Sequence, residues 1–422
     1  MNEECFLGFD GGQSASRCLI VDAEGHVLLK AVGPPFEHID APGGKEKIRR
    51  AFGECLAGVT GATGVTGGRP YAVKSAFLGL TGLWSPESPE AGPILEIFRS
   101  VLHVGRLSLD SDSVSCWAGA FACRPGIVLA AGTGVVAYGV SPGGRSVKVG
   151  GWGYVMGDLG SAFDIGHKAL ILIAAESDRG GPRSLLTSRI LDHLGAADPR
   201  ELQRRLYRLE EQRQAISSLA SVVAECAREG DQGAAQILRE SGCHLAELAI
   251  TAIQRLDWLD RDERDDRDDR DDRGDRDDGD EGNGGGAALA REPRERGPAV
   301  GSGPGPGPVP ESMSPPVSMS PVVPVACAGG VFKAGSLLRD AFRAAVLSRF
   351  NNVCFVEPSF EPVVGAVLLA WRQAGVEITL ERLKALTEGI SGWSDLDLRT
   401  DWSDPTTEKR AGDQVDGANA TA

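Results

Sequence analysis

The sequence predicts an α/β protein in which two related domains face one cleft. Apolar runs of strand length alternate with longer segments of helical periodicity. Three of the runs end in glycine-rich turns, at Gly11-Gly12, Gly132-Thr133-Gly134 and Gly329-Gly330. A three-strand opening near the start recurs after residue 126, which indicates a duplication of the fold. A chain of 422 residues with 41% hydrophobic content is large enough to bury two cores.

The first half is predicted to be a β-β-β-α-β-α-β unit. Its strands are expected at residues 5–9, 17–22, 26–32, 72–80 and 104–109, and its helices at about 44–58 and 89–101. The second half opens with strands at 126–131, 134–140 and 145–149. Helices follow through about residue 258, because the first apolar residues there have the spacing that buries one helix face: Ile165, Ala169, Leu172 and Ile173.

The first glycine turn has the composition of an anion-binding hairpin. Gly11 and Gly12 permit positive φ and leave no Cβ between the backbone amides and a phosphate. The same turn offers Gln13 and the hydroxyls of Ser14 and Ser16. Asp10 ends the strand, where a carboxylate can hold Mg²⁺ directly or through water. The alternative is an ordinary hairpin turn with no ligand.

Two further turns extend this interpretation. Gly132, Thr133 and Gly134 separate two predicted strands, and Gly329, Gly330 and Val331 follow a third. We expect phosphates between the two hairpin turns and the nucleoside against the third turn. The sequence has no GxxxxGK[ST] loop.

These motifs, in this order, resemble those of the N-acetylglucosamine kinase-like ATPases, the BadF/BadG/BcrA/BcrD group of the actin/hexokinase/Hsp70 superfamily. The resemblance covers residues 4–258 and about 322–390. It also rests on the segments Asp112 to Ala120, Gly150 to Ser161 and Pro362 to Ala366. It implies two ribonuclease H-like (actin/hexokinase-type) domains with a nucleotide cleft between them. It further implies a kinase that uses ATP and Mg²⁺ to phosphorylate a hydroxyl of N-acetylglucosamine or a related amino sugar.

The domain boundaries follow from the same reasoning. We expect a first domain at residues 1–117, closed by a helix at about 376–392, and a second at 118–258 and 322–375. Residues 259–321 are predicted to be a disordered insert, because an Arg-Asp-Asp repeat and a Gly/Pro-rich stretch cannot bury enough apolar surface. A cation-binding or protein-binding role for the repeat is the alternative. The tail at 397–422 is also predicted to be disordered.

Asp112 is the candidate catalytic base. A carboxylate near a sugar hydroxyl can orient the hydroxyl and accept its proton during phosphoryl transfer. The alternative is that Asp112 only caps the helix predicted at Ser113–Ala122. The resemblance favours catalysis, because the family's catalytic Asp heads the same helix. Asp110 is the nearby competitor and fits the spacing less well.

The segment Gly150 to Ser161 supplies the other candidate acceptor residues. Gly151, Trp152 and Asp158 are expected to contact the sugar, together with Asp112, and the family's matching Asp binds sugar hydroxyls. Asp158 has the alternative role of capping a helix that begins near residue 160, and Trp152 that of core packing. Thr133 is expected to donate to a phosphate or to the sugar.

Departures from the family pattern fall on the acceptor side. Phe36 follows Gly33-Pro34-Pro35 where N-acetylglucosamine kinases usually carry Asn. Residues of other types also stand where the family usually has Ser, Cys, Glu and Trp: Val135, Val149, Leu159 and Asp164. A different amino sugar as acceptor, or loss of kinase activity, is therefore an open alternative.

Composition limits the other partners. The net charge is −15, and residues 260–281 carry −8 of it, so the remaining −7 argues against nucleic acid binding. Nine cysteines without a CxxC pair indicate a reducing compartment. The sequence has neither a signal-type N-terminus nor an apolar run of about 18 residues. We expect a cytoplasmic protein without a membrane partner, and a homodimer is a further expectation.

Two alternative functions stay open. One is an ATPase of the kind that activates 2-hydroxyacyl-CoA dehydratases, but no cysteine lies in the glycine-rich setting expected of its iron–sulfur cluster. The other is a non-catalytic regulator that binds a sugar or a nucleotide.

Overall fold

The computed structural model describes residues 4–60, 72–209, 212–256, 258 and 322–391. These residues belong to one structural unit that contains two five-stranded sheets. The predicted insert at 259–321 and the predicted tail at 397–422 lie outside the described residues.

The first sheet contains the five strands predicted for the first half. They are β1 (Glu4–Gly11), β2 (Ser16–Asp22), β3 (Val27–Gly33), β4 (Ala72–Leu80) and β5 (Arg106–Ser111). Their order is β3-β2-β1-β4-β5, with β1 antiparallel to β2 and parallel to β4. Three helices accompany them: α1 (Gly44–Thr60), α2 (Ala91–Val101) and α3 (Asp112–Phe121).

The second sheet repeats this plan. Its strands are β6 (Gly126–Ala131), β7 (Val135–Val140), β8 (Ser146–Gly150), β9 (Val323–Ala328) and β10 (Val353–Val356). Their order is β10-β9-β6-β7-β8. Read from β8 to β10, this order matches that of the first sheet, with each strand in the place of the strand numbered five lower. The predicted α/β class with a duplicated fold is therefore confirmed.

Helices fill the rest of the described chain. The first five are α4 (Ala162–Arg179), α5 (Leu185–His193), α6 (Pro199–Leu206), α7 (Gln212–Arg228) and α8 (Gln232–Leu256). A short 3-10 helix at Gly330–Ala334 precedes α9 (Ser336–Leu347), α10 (Pro362–Gln373) and α11 (Leu380–Ile390). Among the helices of these described ranges, none is both long and apolar enough to cross a membrane.

Helix α10 packs on the first sheet, although the predicted boundary assigns residues up to 375 to the second domain. Its apolar residues share a core cluster with Phe6 of β1 and Leu19 of β2. A Cβ added at Gly8 would lie 2.6 Å from the carbonyl oxygen of Val363, so helix and strand backbones are in close contact. The domain boundaries themselves remain a prediction.

The strand ends bring the glycine turns together. In the first sheet Gly11 pairs with Leu80, and Leu80 with Ser111, so the carboxyl ends of β1, β4 and β5 meet at one edge. In the second sheet Ala130 pairs with Ala328, which places the ends of β6 and β9 side by side. Functional residues that follow these strands are therefore close in space although they are far apart in sequence.

Candidate active site

A cavity of about 680 Å³ lies where the strand ends of the two sheets meet. Both sheets contribute to its lining, and most of the predicted site residues are in it. The predicted residues that line the cavity are Asp10, Gly12, Gln13, Ser14, Asp112, Gly132, Thr133, Gly134, Gly151, Asp158, Gly329 and Gly330.

Four predicted site residues do not line this cavity. Ser16 is fully buried and pairs with Gly11 across β1 and β2, so its hydroxyl points into the protein. Val331 packs in the core of the second half. Gly11 has no room for a side chain, because a Cβ there would lie 2.8 Å from Leu80. Trp152 is 62% exposed beside the cavity rather than packed in the core.

The first glycine turn is closed by its own backbone. The amide of Gly12 donates to Ala15 at 3.2 Å, and the amide of Phe36 donates to Gly12 at 2.9 Å. The expectation that the Gly12 amide binds phosphate is therefore not met, because the tight turn already uses it. The amides of Gln13 and Ser14 have no hydrogen-bond partner within the described part of the chain and remain available to an anion.

The second glycine turn has the same arrangement. The amide of Gly132 donates to Gly134 at 2.9 Å, which leaves Thr133 and Gly134 to present their amides. A Cβ at Gly132 or at Gly330 would meet nothing within 4 Å, so both positions border open space. Gly329 has φ 101° and lies against the backbone of Ala131, which brings the third turn beside the second.

Carboxylates gather at the edge of the first sheet. Asp10 is 7% exposed and lies 3.8 Å from the guanidinium of Arg17. Burial and the carboxylates of Asp112 and Glu361 raise the pKa of Asp10 to about 7, although Arg17 opposes this effect. Burial also raises the pKa of Glu361, which the sequence reasoning missed.

Asp10, Asp112 and Glu361 are the carboxylates at this edge that could hold a divalent cation, and the guanidinium of Arg17 and the ammonium of Lys148 lie near them. In the ranges that the structure describes, the one set of three or more His, Cys, Asp or Glu residues with mutually close ligand atoms is the largely exposed group of His38, Asp40 and Glu90. The cavity carboxylates are therefore too far apart to enclose an ion by themselves. That spacing suits Mg²⁺, which usually takes one or two carboxylates and completes its shell with phosphates and water.

Asp112 is the first residue of α3 and not its N-cap. The N-cap is Ser111, whose hydroxyl accepts from the amide of Ser113. The capping alternative for Asp112 is therefore wrong. Burial raises the pKa of Asp112, while the ammonium of Lys148 is the largest influence that lowers it. Asp110 does not line the cavity, and its carboxylate accepts from the Ser111 amide at 2.7 Å.

Asp158 stabilises the second glycine turn. It has φ 58°, and its Oδ1 accepts from the amide of Val135 at 3.2 Å. Its Oδ2 lies 3.6 Å from Arg213. The N-cap of α4 is Ser161, so the capping alternative for Asp158 is also wrong. Burial raises the pKa of Asp158, and both polar partners lower it.

The departures from the family pattern have different structural settings. Phe36 is 2% exposed and packs on Phe9 and Phe52, with ring centroids 6.3 and 5.6 Å away. Leu159 is 52% exposed. Asp164 accepts from the amide of Gly160 and pairs with Lys168 at 2.7 Å, so it stabilises the turn before α4.

Sequence reasoning also missed Lys148, Trp84 and Arg213, which all line the cavity. The available signal was a lysine between two valines in β8, because a charged side chain that is partly removed from water needs a partner. Trp84 and Arg213 lie outside any local motif, so no signal in the sequence identified them.

Several known proteins are similar to this chain. A kinase from Clostridium acetobutylicum named for N-acetylmuramic acid and N-acetylglucosamine is 30% identical over 239 residues, which cover 57% of this chain and 76% of the relative. An N-acetyl-D-glucosamine kinase from Dictyostelium discoideum is 26% identical over 256 residues, which cover 59% and 79%.

Solved structures share the fold. A candidate N-acetylglucosamine kinase from Chromobacterium violaceum superposes with a TM-score of 0.59 at 24% identity, over 88% of this chain and all of that one. A second from Porphyromonas gingivalis gives a TM-score of 0.52 at 14% identity, over 88% and 99%. The model of the BadF/BadG/BcrA/BcrD ATPase family matches residues 7–261. The chain therefore belongs to the BadF/BadG/BcrA/BcrD ATPase family.

Proposed function

We propose that this protein is an ATP-dependent kinase that phosphorylates a hydroxyl of an N-acetylated amino sugar. The observation that carries the proposal is the position of Asp112, which shares one cavity with two anion-binding glycine turns. The names of the two curated relatives give the acceptor class, N-acetylglucosamine and N-acetylmuramic acid.

The nucleotide is proposed to lie between the glycine turns of the two sheets. The phosphates would take the amides of Gln13, Ser14, Thr133 and Gly134, which protein groups leave available. The adenosine would lie against Gly329 and Gly330, where the backbone borders the cavity. Asp10 would hold Mg²⁺, which supplies positive charge to the phosphates when it is bound.

Asp112 is proposed to orient the acceptor hydroxyl and to accept its proton. A carboxylate is a base only when it is ionised, and burial disfavours that form. Lys148 opposes the effect of burial, because its ammonium favours the charged carboxylate. Asp112 therefore combines a partly desolvated position with a neighbouring cation, which is a suitable setting for a base.

The acceptor is proposed to lie between Asp112 and the segment Gly151 to Asp158. Phe36 is buried against Phe9 and Phe52 and does not line the cavity, so we expect other groups to bind the acceptor. Gly151 and Trp152 are the nearest candidates on the second sheet. Asp158 already serves Val135 and Arg213, and a sugar would have to share its carboxylate.

ATP and nine free cysteines favour the cytoplasm as the working compartment. A homodimer and the Mg²⁺ requirement are further parts of this proposal.

The test is coupled ADP release with Mg²⁺-ATP across a panel of acceptors. The panel contains N-acetylglucosamine, N-acetylmuramic acid, glucosamine, N-acetylmannosamine, glucose and no sugar. Asp112→Asn is the test variant, and Asp110→Asn, two residues earlier in β5 and outside the cavity lining, is the matched control. We expect sugar-dependent release that Asp112→Asn lowers about 10²–10⁴-fold and Asp110→Asn largely retains.

Other outcomes separate the alternatives. Equal loss in both variants would contradict the role of Asp112. Release without any sugar would favour the ATPase branch of the family, and nucleotide binding without release would favour a regulator.

A further inference from the structure

Lys148 connects elements of the two sheets through its ammonium group. Its Nζ lies 2.9 Å from the hydroxyl of Ser111, 3.2 Å from the carbonyl oxygen of Trp84 and 3.4 Å from that of Leu83. An ammonium has three protons to donate, and these three acceptors use all of them. All three protons of the Lys148 ammonium are therefore donated to protein acceptors, and none is left for a ligand.

The partners of Lys148 come from separate parts of the fold. Lys148 lies in β8 of the second sheet, Ser111 ends β5 of the first sheet, and Leu83 and Trp84 follow β4. All four residues line the cavity. The ammonium therefore joins the two sheets at the cavity itself.

The contact with Ser111 leads directly to Asp112. The hydroxyl of Ser111 lies 3.2 Å from Oδ1 of Asp112 and also accepts from the amide of Ser113. Lys148 and the Ser113 amide donate to the Ser111 oxygen, so the single hydroxyl proton of Ser111 is left for Oδ1 of Asp112 or for Oγ of Ser113, which lies 2.9 Å away. Lys148 thereby influences the orientation of the carboxylate without touching the acceptor.

The contact with Trp84 continues to the acceptor side of the cavity. The ammonium also lies 4.4 Å above the Trp84 ring, where a cation is attracted to the π face. That ring packs on Trp152 with centroids 5.2 Å apart and a tilt of 37°. One cation thus holds the loop that carries Trp84 and, through that ring, contacts Trp152 beside the cavity.

We infer that Lys148 is a positioning residue for phosphoryl transfer: from the second sheet it holds the Ser111–Asp112 end of α3 and the Leu83–Trp84 loop in the arrangement that the reaction needs. The inference rests on the proposed kinase function. Burial lowers the pKa of the Lys148 ammonium, and Asp112 and Asp110 partly oppose this effect, so the cation belongs to a mixed-charge cluster.

The test compares Lys148→Met, which keeps much of the side-chain length but loses the donors, with Lys148→Arg, which keeps charge and donors. Lys74→Met is the control, because Lys74 pairs with Glu4 away from the cavity. We expect Lys148→Met to lower kcat about 10²-fold, as a small misplacement of a catalytic group does, with the KM for ATP unchanged. Lys148→Arg should restore part of the loss, and Lys74→Met should match the unchanged protein.

Amide hydrogen exchange without ligands supplies a readout that is independent of activity. Lys148→Met should speed exchange in residues 83–91 and 111–116 and nowhere else. Ser111→Ala should speed exchange at 111–116 only, because Lys148 still holds Leu83 and Trp84. This second variant keeps the test decisive if Lys148→Met folds poorly.

Two results would overturn the inference. One is a loss of kcat without faster exchange in those two segments, and the other is faster exchange with unchanged kcat. If the unchanged protein releases no ADP with any sugar, the proposed function fails and the catalytic part of the inference fails with it. The exchange data would then still decide whether Lys148 joins the two sheets.

Discussion

Ionisation of the Asp10 carboxyl group destabilises the folded protein when no cation is bound. Its carboxyl group is buried beside two other carboxylates, and its pKa is about 7 in place of the usual 3.8. A group whose pKa is raised by folding favours the folded state at low pH, and this contribution is lost as the pH rises through the folded pKa. The metal-free protein should therefore lose stability between about pH 4 and pH 7.

We predict that Asp10→Asn stabilises the metal-free protein at pH 8. A shift of roughly three pKa units corresponds to about 4 kcal/mol at most, and the amide avoids this cost because it has no charge. The measurement is thermal unfolding in EDTA from pH 5 to pH 8. Asp40→Asn, an exposed carboxylate, is the control. If the unfolding temperatures of Asp10→Asn and the unchanged protein depend on pH in the same way, the prediction is contradicted.

Residue identity predicted this site only in part. The glycines and Asp10 were identifiable because their roles depend on local backbone freedom and on a strand end. Glu361 and Lys148 were missed because their partners are distant in sequence, as when Lys148 meets Ser111 across 37 positions. Ser16 was assigned wrongly because strand register, which the sequence does not fix, turns its hydroxyl inward.

Helix α3 is positioned by its contact with α10. Gly365 of α10 faces Ser115 and Gly119 of α3 so closely that an added Cβ would overlap the α3 backbone. Helices without side chains at their crossing can bring their backbones together, and here that contact fixes the helix that begins with Asp112. The position of Asp112, the proposed base, thus depends on the contact of α10 with Ser115 and Gly119, about one and two turns further along α3.

We predict that Gly365→Ala destabilises the protein and lowers kcat. Overpacking at a close contact typically costs about 1–3 kcal/mol, and displacement of α3 would move Asp112. Gly92→Ala in α2 is the control, because a Cβ there meets nothing within 4 Å. Urea unfolding and ADP release measure the two effects. Unchanged stability of Gly365→Ala would contradict the described packing.

Most elements were predictable because their signals are local. Apolar runs identified the strands of both sheets except β10 (Val353–Val356), which was not predicted, and boundaries differed by a few residues, as for β5 at Arg106–Ser111. The packing of α10 on the first sheet was not predictable, because its apolar face suits either sheet. The choice depends on the Gly8 contact, which only the folded chain creates.

The whole molecule places ligand groups on both sheets, so ligand binding should stabilise it. A ligand at 100 times its Kd adds about 2.7 kcal/mol to the free energy of unfolding. We predict that Mg²⁺-ATP raises the unfolding temperature of the unchanged protein. Gly132→Ala should keep its ligand-free stability, because the added Cβ enters open space, and should lose most of the ATP shift.

The same thermal experiment includes Gly92→Ala as the control, which should keep the full ATP shift. If Mg²⁺-ATP raises the unfolding temperature of Gly132→Ala as much as that of the unchanged protein, the phosphates bind elsewhere. The duplicated fold and a cleft faced by both halves were predictable from the repeated three-strand opening and the three glycine turns. The cavity residues outside those turns, such as Trp84 and Arg213, were not, because their positions depend on how distant parts of the chain meet.

The aromatic cluster around Phe36 couples the first glycine turn to the core. Phe36 supports Phe9 and Phe52 in the core, and its backbone amide closes the first glycine turn. Replacement by Asn would remove a buried ring at a cost of about 3–5 kcal/mol and leave an amide among aromatic rings. A polar side chain at position 36 would therefore weaken the packing that holds this turn in place.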